Sequence, residues 1–96
     1  MSEAKPELTA LITNGWIEKD KKLRKDFTFV NFRDAFGFMT RCALEIEKKD
    51  HHPEWFNVYN KITVEWTTHD AGGITSKDVE MAAFMDRLAA RFITKG

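Results

Sequence analysis

The three histidines are the side chains of this chain best suited to chemistry. His51 and His52 are adjacent and precede Pro53, whereas His69 comes later and is followed by Asp70. An imidazole has an ordinary pKa of about 6.5, so it can give and accept protons near neutral pH. The proline keeps the residue before it extended and holds the pair in place. A lone histidine pair is more often surface decoration, so its neighbours decide whether it forms a site.

Those neighbours favour a pocket. Glu47 lies four positions before His51, one turn back if a helix continues that far, where its carboxylate could fix the tautomer of the imidazole. Trp55, Phe56 and Tyr59 supply flat apolar walls. Proton-transfer groups beside aromatic faces predict a pocket for a flat heterocycle.

Two predicted strands must bring His69 to the pair. One strand covers residues 55–59, and the alternation of apolar and polar side chains over residues 62–66 indicates the next. A tight turn at Asn60 and Lys61 would join them into an antiparallel hairpin. The start of the first strand then lies opposite the end of the second, so all three imidazoles should meet at one end of a sheet.

The remaining elements complete an α+β fold. A short helix covers residues 6–12, and two strands form a hairpin through the lysine-rich turn at 19–25. A last helix begins with a capping box formed by Thr75 and Asp78. The long helix follows the N-cap Asn31, and its predicted core stripe consists of residues 32, 35, 36, 39, 42, 43 and 46. Gly37 within it predicts a close approach to another backbone. The predicted order is α-β-β-α-β-β-α, with helices packed on one face of a four-stranded antiparallel sheet.

Composition limits the classes of function. The 96 residues form one domain, 1–96, and carry 15 basic and 15 acidic side chains, so no net field draws the chain to nucleic acid or a membrane. The lone Cys42 cannot form an intrachain disulfide and suits a reducing compartment. The N-terminus has no apolar stretch of signal-peptide length. We expect a cytoplasmic protein.

Metal-dependent and nucleophilic chemistry are less favoured. Adjacent residues in an extended chain point to opposite sides, so His51 and His52 would not readily meet one metal ion. The sequence has no His-Glu-x-x-His helix and no cysteine cluster. Cys42 lies on the apolar stripe, which indicates a packed thiol rather than a nucleophile. We therefore expect no metal and no cofactor.

Two further segments carry a family resemblance: residues 36–41 read Phe-Gly-Phe-Met-Thr-Arg, and residues 50–61 include His-His-Pro-Glu-Trp-Phe. These segments closely resemble pterin-4a-carbinolamine dehydratases, and the similarity extends over about residues 16–92. The signature of this family consists of a charged residue ahead of His-His-Pro, a later aromatic residue, a later histidine and an aspartate. Glu47, Tyr59, His69 and Asp78 match those positions.

The resemblance implies dehydration of 4a-hydroxytetrahydropterin to quinonoid dihydropterin, in tetrahydrobiopterin recycling, without metal or redox cofactor. By this resemblance His51 and His52 lie at the pterin, His69 completes the pocket and Glu47 orients an imidazole. Which histidine is acid and which is base stays open. Asp78 either belongs to the site or is only a helix cap. The predicted substrate-binding residues are Asp50, Trp55, Phe56, Thr68 and Asp70.

The resemblance also implies partners. Some animal members act as a dimerisation cofactor of a liver homeodomain transcription factor, bind it through helical surfaces and form tetramers without it. We therefore expect a homodimer or homotetramer that does not itself bind nucleic acid. The alternative function is a non-enzymatic coactivator module, which would also occur in the nucleus. The candidate surface is the helix over residues 32–49, where Phe38 and Arg41 fall off the predicted core stripe.

Overall fold

Seven elements follow one another in the predicted order α-β-β-α-β-β-α in the computed structural model, which describes residues 5–93. The helices are α1 (Lys5–Thr13), α2 (Phe32–Lys49) and α3 (Ser76–Ile93), and the strands are β1 (Ile17–Lys19), β2 (Lys22–Thr28), β3 (Glu54–Val58) and β4 (Lys61–Trp66). A 3₁₀ turn over His69–Ala71 precedes α3. No helix in this part of the chain is long and apolar enough to cross a membrane.

The strands form one antiparallel sheet in the order β1-β2-β4-β3. Paired residues point to the same face, so Leu23 with Trp66 and Trp55 with Val64 face the helices. α2 and α3 pack on this face and on each other, and α1 packs on α3. The α+β prediction is confirmed. The opposite face of the sheet is not covered by any described element.

The turn between β3 and β4 falls one residue earlier than predicted. Val58 pairs with Lys61, so Tyr59 and Asn60 form the turn instead of Asn60 and Lys61. Tyr59 has a φ of 51°, in the left-handed region that a bulky side chain rarely adopts. The amide of Asn57 donates to the carbonyls of Tyr59 and Lys61, which stabilises this conformation.

The buried face of α2 differs from the predicted stripe. Phe38 is 0% exposed, whereas Phe36 is 53% exposed and Phe32 is also exposed. The buried residues are Ala35, Phe38, Cys42 and Ile46. These positions follow a spacing of three or four residues and form one narrow face toward the sheet. Phe38 is therefore a core residue, and the prediction that it faces a partner is wrong.

Phe38 lies at the centre of an aromatic cluster. Its ring centroid is 5.1 Å from that of Phe27, 5.0 Å from Phe29 and 6.3 Å from Phe92. The ring of Phe92 also lies over Gly37, where an added Cβ would be 3.5 Å from it. Gly37 therefore meets a side chain of α3 rather than another backbone, and the cluster joins α2 to α3 and the sheet.

A half-buried ion pair between Lys25 and Asp86 also holds α3 against the sheet. Lys25 Nζ lies 2.8 Å from Asp86 Oδ1, and the indole N–H of the fully buried Trp16 donates to the same carboxylate at 3.0 Å. Lys25 also lies over the ring of Phe27, at 4.9 Å from its centroid. These contacts join β2, α3 and the segment after α1, and so hold the helix on which Asp78 stands.

Replacement of Phe38 by Ala should destabilise the fold by about 3–5 kcal/mol, the usual cost of removing a buried phenyl ring. Phe36→Ala on the same helix is the matched control and should change the free energy of unfolding by only about 0.5 kcal/mol, because that ring is largely exposed. Urea unfolding in dilute solution measures both. Equal losses in the two variants would contradict the assignment of the buried face.

Candidate functional site

The end of α2 determines how the histidine segment leaves the helix. Asp50 takes a left-handed conformation with φ 53°, and its N–H donates to the carbonyl of Glu47. The N–H of His51 reaches back to the carbonyl of Ile46 at 3.4 Å. This is the Schellman pattern that ends a helix, usually with glycine at the left-handed position. The helix therefore stops at Lys49, and His51 no longer continues its surface.

His51 is held by its edge and by its face. Its Nε2 lies 2.6 Å from Asp78 Oδ1, and its ring stacks on that of Trp66, with the centroids 5.4 Å apart and the planes at 19°. The side chain of His51 is 13% exposed. Trp66 is fully buried, and its indole N–H has no hydrogen-bond partner among the described residues. The imidazole thus has a fixed orientation but retains some access to solvent.

Asp78 is both a helix cap and part of the site. Its side chain is 0% exposed. Oδ2 accepts hydrogen bonds from the N–H of Thr75 at 2.8 Å and the hydroxyl of Thr68 at 2.7 Å, while Oδ1 faces His51. The Thr75 N–H contact is the Asp78 half of the capping box predicted from the sequence, while the Thr75 hydroxyl accepts from the N–H of Lys77 instead of that of Asp78. Asp78 therefore caps α3 and also contacts His51, and its part in catalysis stays a prediction.

Glu47 is exposed in the last turn of α2. The carboxylate hydrogen-bonded to His51 in the described part of the chain is that of Asp78, 27 residues further along the sequence. The left-handed residue at position 50 separates Glu47 from the imidazoles, because the spacing of one helical turn no longer applies beyond it. That Glu47 orients an imidazole stays a prediction.

The other two histidines are exposed. The His52 side chain is 59% exposed, with Nε2 3.7 Å from Asp50 Oδ1, and the His69 side chain is 83% exposed, with Nε2 3.9 Å from Glu54 Oε2. Both contacts are too long to be hydrogen bonds. His69 therefore lies near the start of β3, just after the histidine pair, whereas the ring of His51 is directed toward Asp78.

Glu54 is a charged neighbour of His69 that the sequence reading did not single out. Lys22 Nζ donates to it at 2.6 Å, and this hydrogen bond holds the pKa of Glu54 below its usual range and raises the pKa of Lys22. Glu54 is thus kept ionised beside His69. The signal in the sequence was the acidic residue directly after His-His-Pro.

The aromatic residues of β3 lie on opposite faces of the sheet. Trp55 is half-buried on the helix face and packs against the core, while Phe56 is exposed on the open face. Tyr59 lies at the far end of β3 from the histidines. They therefore do not line one pocket together, as the predicted flat apolar walls would. A shallow depression of about 300 Å³ at the open face is lined by Arg24, Glu54, Trp55, Phe56, Thr63 and Glu65.

The remaining predicted residues lie in the loop after β4. Asp70 is exposed within the 3₁₀ turn. Thr68 is half-buried, and its hydroxyl bonds to Asp78 and to the Thr75 hydroxyl, the latter at 2.8 Å. Within residues 5–93 no group of three or more His, Cys, Asp and Glu side chains is placed to hold a metal ion. The expectation that no metal is needed stays a prediction.

Comparisons with known proteins give the class. A model of the family described as Pterin 4 alpha carbinolamine dehydratase matches residues 1–88. A protein of Solibacter usitatus, provisionally named a pterin-4-alpha-carbinolamine dehydratase, is 49% identical over 90 residues, which cover 94% of this chain and 95% of that protein. A protein of Afipia carboxidovorans with the same provisional name is 58% identical over 80 residues, which cover 81% of this chain and 80% of that protein.

Two solved structures are similar. The crystal structure of a transcriptional coactivator/pterin dehydratase from Brucella melitensis has a TM-score of 0.83 and 44% identity, and the match covers 92% of this chain and 94% of that one. The second is a pterin dehydratase-like protein identified as a RuBisCO assembly factor in the α-carboxysome, with a TM-score of 0.68 and 22% identity. The match covers 78% of this chain and 89% of that one, and it shows that the two chains share the fold.

The fold and these matches together define a pterin dehydratase, a class of hydro-lyase. The chain belongs to the pterin-4a-carbinolamine dehydratase family, and the resemblance seen in its histidine segment is confirmed.

The buried Cys42 should not react in the folded protein. Burial raises the pKa of its thiol to about 12, so the thiolate that attacks thiol reagents is scarce at pH 8 and increases only toward pH 12. Ellman's reagent should therefore modify less than one tenth of the thiol in native protein and all of it in denaturant. Rapid modification of folded protein at pH 8 would contradict the buried placement of Cys42.

Proposed function

We propose that the chain removes water from 4a-hydroxytetrahydropterin by histidine acid–base catalysis, in tetrahydrobiopterin recycling. The observation that supports this most strongly is the pair formed by His51 and the fully buried Asp78, at 2.6 Å. A carboxylate that bonds one ring nitrogen fixes the tautomer and orientation of an imidazole, which general acid–base catalysis requires. Family membership supplies the substrate class.

We infer the tautomer of His51 from the hydrogen bonds of Asp78. Oδ2 already accepts from two donors, so the ionised carboxylate accepts its third bond, at Oδ1, from an N–H on Nε2. Nδ1 is then the ring nitrogen that exchanges a proton with the substrate. As a neutral imidazole His51 can take a proton at Nδ1, and as an imidazolium it can give one.

The reaction needs two proton transfers. One proton goes to the departing 4a-hydroxyl as its bond to carbon breaks, and one leaves a ring nitrogen as a carbon–nitrogen double bond forms, so the sum is the loss of water. His51 serves one transfer and an exposed histidine, His52 or His69, serves the other. Trp55 and Asp70 are proposed to contact the pterin at this end of the sheet.

Replacement of His51 by Gln or of Asp78 by Asn should lower dehydratase turnover by about 10²- to 10⁴-fold, the range for a positioned acid or base. Glu47→Gln is the matched carboxylate variant and should have a smaller effect than Asp78→Asn, because Asp78 is the residue bonded to His51. The assay follows the loss of 4a-hydroxytetrahydropterin.

Circular dichroism and urea unfolding must accompany these assays, since Asp78 also caps α3. Lys48→Ala, an exposed change at the end of α2, controls for surface effects. Normal turnover in folded His51→Gln protein would refute the assignment of His51. A larger loss for Glu47→Gln than for Asp78→Asn would favour the carboxylate predicted from the sequence.

We propose, as a second candidate function, that α2 associates with other chains, as a homo-oligomer or as a coactivator module. Phe32, Phe36 and Leu44 lie along its outer side and are exposed at 46%, 53% and 72%. The rings of Phe32 and Phe36 touch, with centroids 5.5 Å apart. Exposed apolar side chains in a row are typical of an association surface. The similar Brucella melitensis protein, titled a transcriptional coactivator/pterin dehydratase, adds support.

The double change of Phe36 and Leu44 to Ser should lower the oligomeric state, because it removes two apolar contacts from the proposed surface. Ile17→Ser, at an equally exposed apolar residue of β1, is the matched control and should not change the mass. Light scattering after size-exclusion chromatography measures the mass, and the dehydratase assay runs beside it. A monomeric wild-type chain, or the same mass in all three proteins, would contradict homo-oligomer formation through α2.

A further inference from the structure

Thr68 occupies a position from which it can act on His51 without touching substrate. Its hydroxyl lies 2.7 Å from Asp78 Oδ2 and 2.8 Å from the hydroxyl of Thr75. A threonine hydroxyl has one proton to donate and lone pairs with which to accept. Both polar contacts of this hydroxyl are therefore made inside the protein, on the residue that holds His51.

The direction of these bonds follows from the donors present. Asp78 in its ionised form can only accept, so the single proton of the Thr68 hydroxyl points to Oδ2. The contact between the two hydroxyls must then be donated by Thr75, whose oxygen in turn accepts from the N–H of Lys77. The bonds run from Thr75 to Thr68 and on to Asp78, and bonds in such a chain strengthen one another.

The backbone of Thr68 closes the loop that carries His69. Its N–H donates to the carbonyl of Gly73 at 2.9 Å, and its carbonyl accepts from the N–H groups of Ala71 and Gly73. This closes a loop whose first residue after Thr68 is His69. Thr68 therefore closes the loop that carries the exposed His69 and also donates to the carboxylate that bonds His51.

We propose that Thr68 is a positioning residue: its hydroxyl orients the carboxylate of Asp78 so that Oδ1 holds His51 in the Nε2–H tautomer. Without that donor, Oδ2 keeps only the N–H of Thr75, and the carboxylate can rotate about its terminal bond. His51 then divides between its two tautomers, and only one of them presents a free Nδ1. This revises the expectation that Thr68 binds the substrate directly, and it rests on the proposed function for its effect on turnover.

Thr68→Val removes the hydroxyl with little change of shape, and Thr68→Ser restores it. The matched control is Thr67→Val, because the neighbouring Thr67 hydroxyl donates to the carbonyl of Lys21 at 3.0 Å and not to Asp78. We expect Thr68→Val to lower kcat by about tenfold to a hundredfold, as for the loss of one hydrogen bond to a charged group, with KM nearly unchanged. Thr68→Ser and Thr67→Val should keep wild-type kcat.

The second readout is the tautomer of His51, measured by long-range ¹H–¹⁵N correlation of its ring nitrogens. The wild-type chain, Thr68→Ser and Thr67→Val should show the Nε2–H form, and Thr68→Val a mixture. An unchanged tautomer in Thr68→Val, or a loss of kcat that Thr68→Ser does not restore, would overturn the proposal. If Thr68→Val does not fold, the wild-type spectrum decides, since a predominant Nδ1–H form overturns the proposal and a predominant Nε2–H form supports it.

The two proposals fail separately. A wild-type chain without dehydratase activity would refute the proposed function, yet the tautomer comparison would still show whether Thr68 orients Asp78 and His51. Conversely, an active wild-type chain with an unchanged tautomer in Thr68→Val would leave the proposed dehydratase function standing. It would show that Thr68 does not position Asp78 and His51.

Discussion

The burial of one carboxylate organises this end of the molecule. Asp78 is completely inaccessible to solvent, and an ionised group there is costly unless each of its oxygens is hydrogen-bonded. Its partners come from three separate segments: Thr75 before α3, Thr68 after β4 and His51 after α2. The first turn of α3 adds a favourable dipole. Satisfying Asp78 therefore requires the ends of β4, α2 and α3 to meet, and the imidazole is oriented by the same requirement.

Much of the fold could be predicted because local signals agree with it. The alternation in β4 and the caps at Asn31 and Thr75 belong to short stretches of sequence, and the structure confirms them. The buried face of α2 could not be predicted in this way. Phe36 and Phe38 have the same side chain, and only the docking of the helix on the sheet determines which of them is covered. The β3–β4 turn was misplaced because Tyr59 adopts a backbone conformation unusual for its type.

The same distinction between local sequence patterns and tertiary packing applies to the site. The sequence placed His51 in a rigid junction near His69 but assigned its partner to Glu47, because a spacing of four residues is the local rule for contact on a helix. The left-handed Asp50 ends the helix before that rule can apply. The carboxylate that bonds His51 is 27 residues away and becomes its neighbour only through tertiary packing, although the capping box had already marked Asp78. Trp55 and Phe56 lie on opposite faces because side chains alternate along a strand, and the prediction of an aromatic pocket did not include this alternation.

A cap alone would not need this arrangement. An N-cap partner works well at an exposed helix end, whereas a buried charge contributes little net stability and is often replaceable by apolar packing. The chain nevertheless directs two threonine contacts and an imidazole onto one enclosed carboxylate. It stacks that imidazole on an indole whose N–H has no hydrogen-bond partner among residues 5–93. The arrangement fixes a single ring orientation for His51. A fixed orientation is expected where polar groups must be positioned before the substrate arrives, because an orientation set in advance need not be established during the reaction.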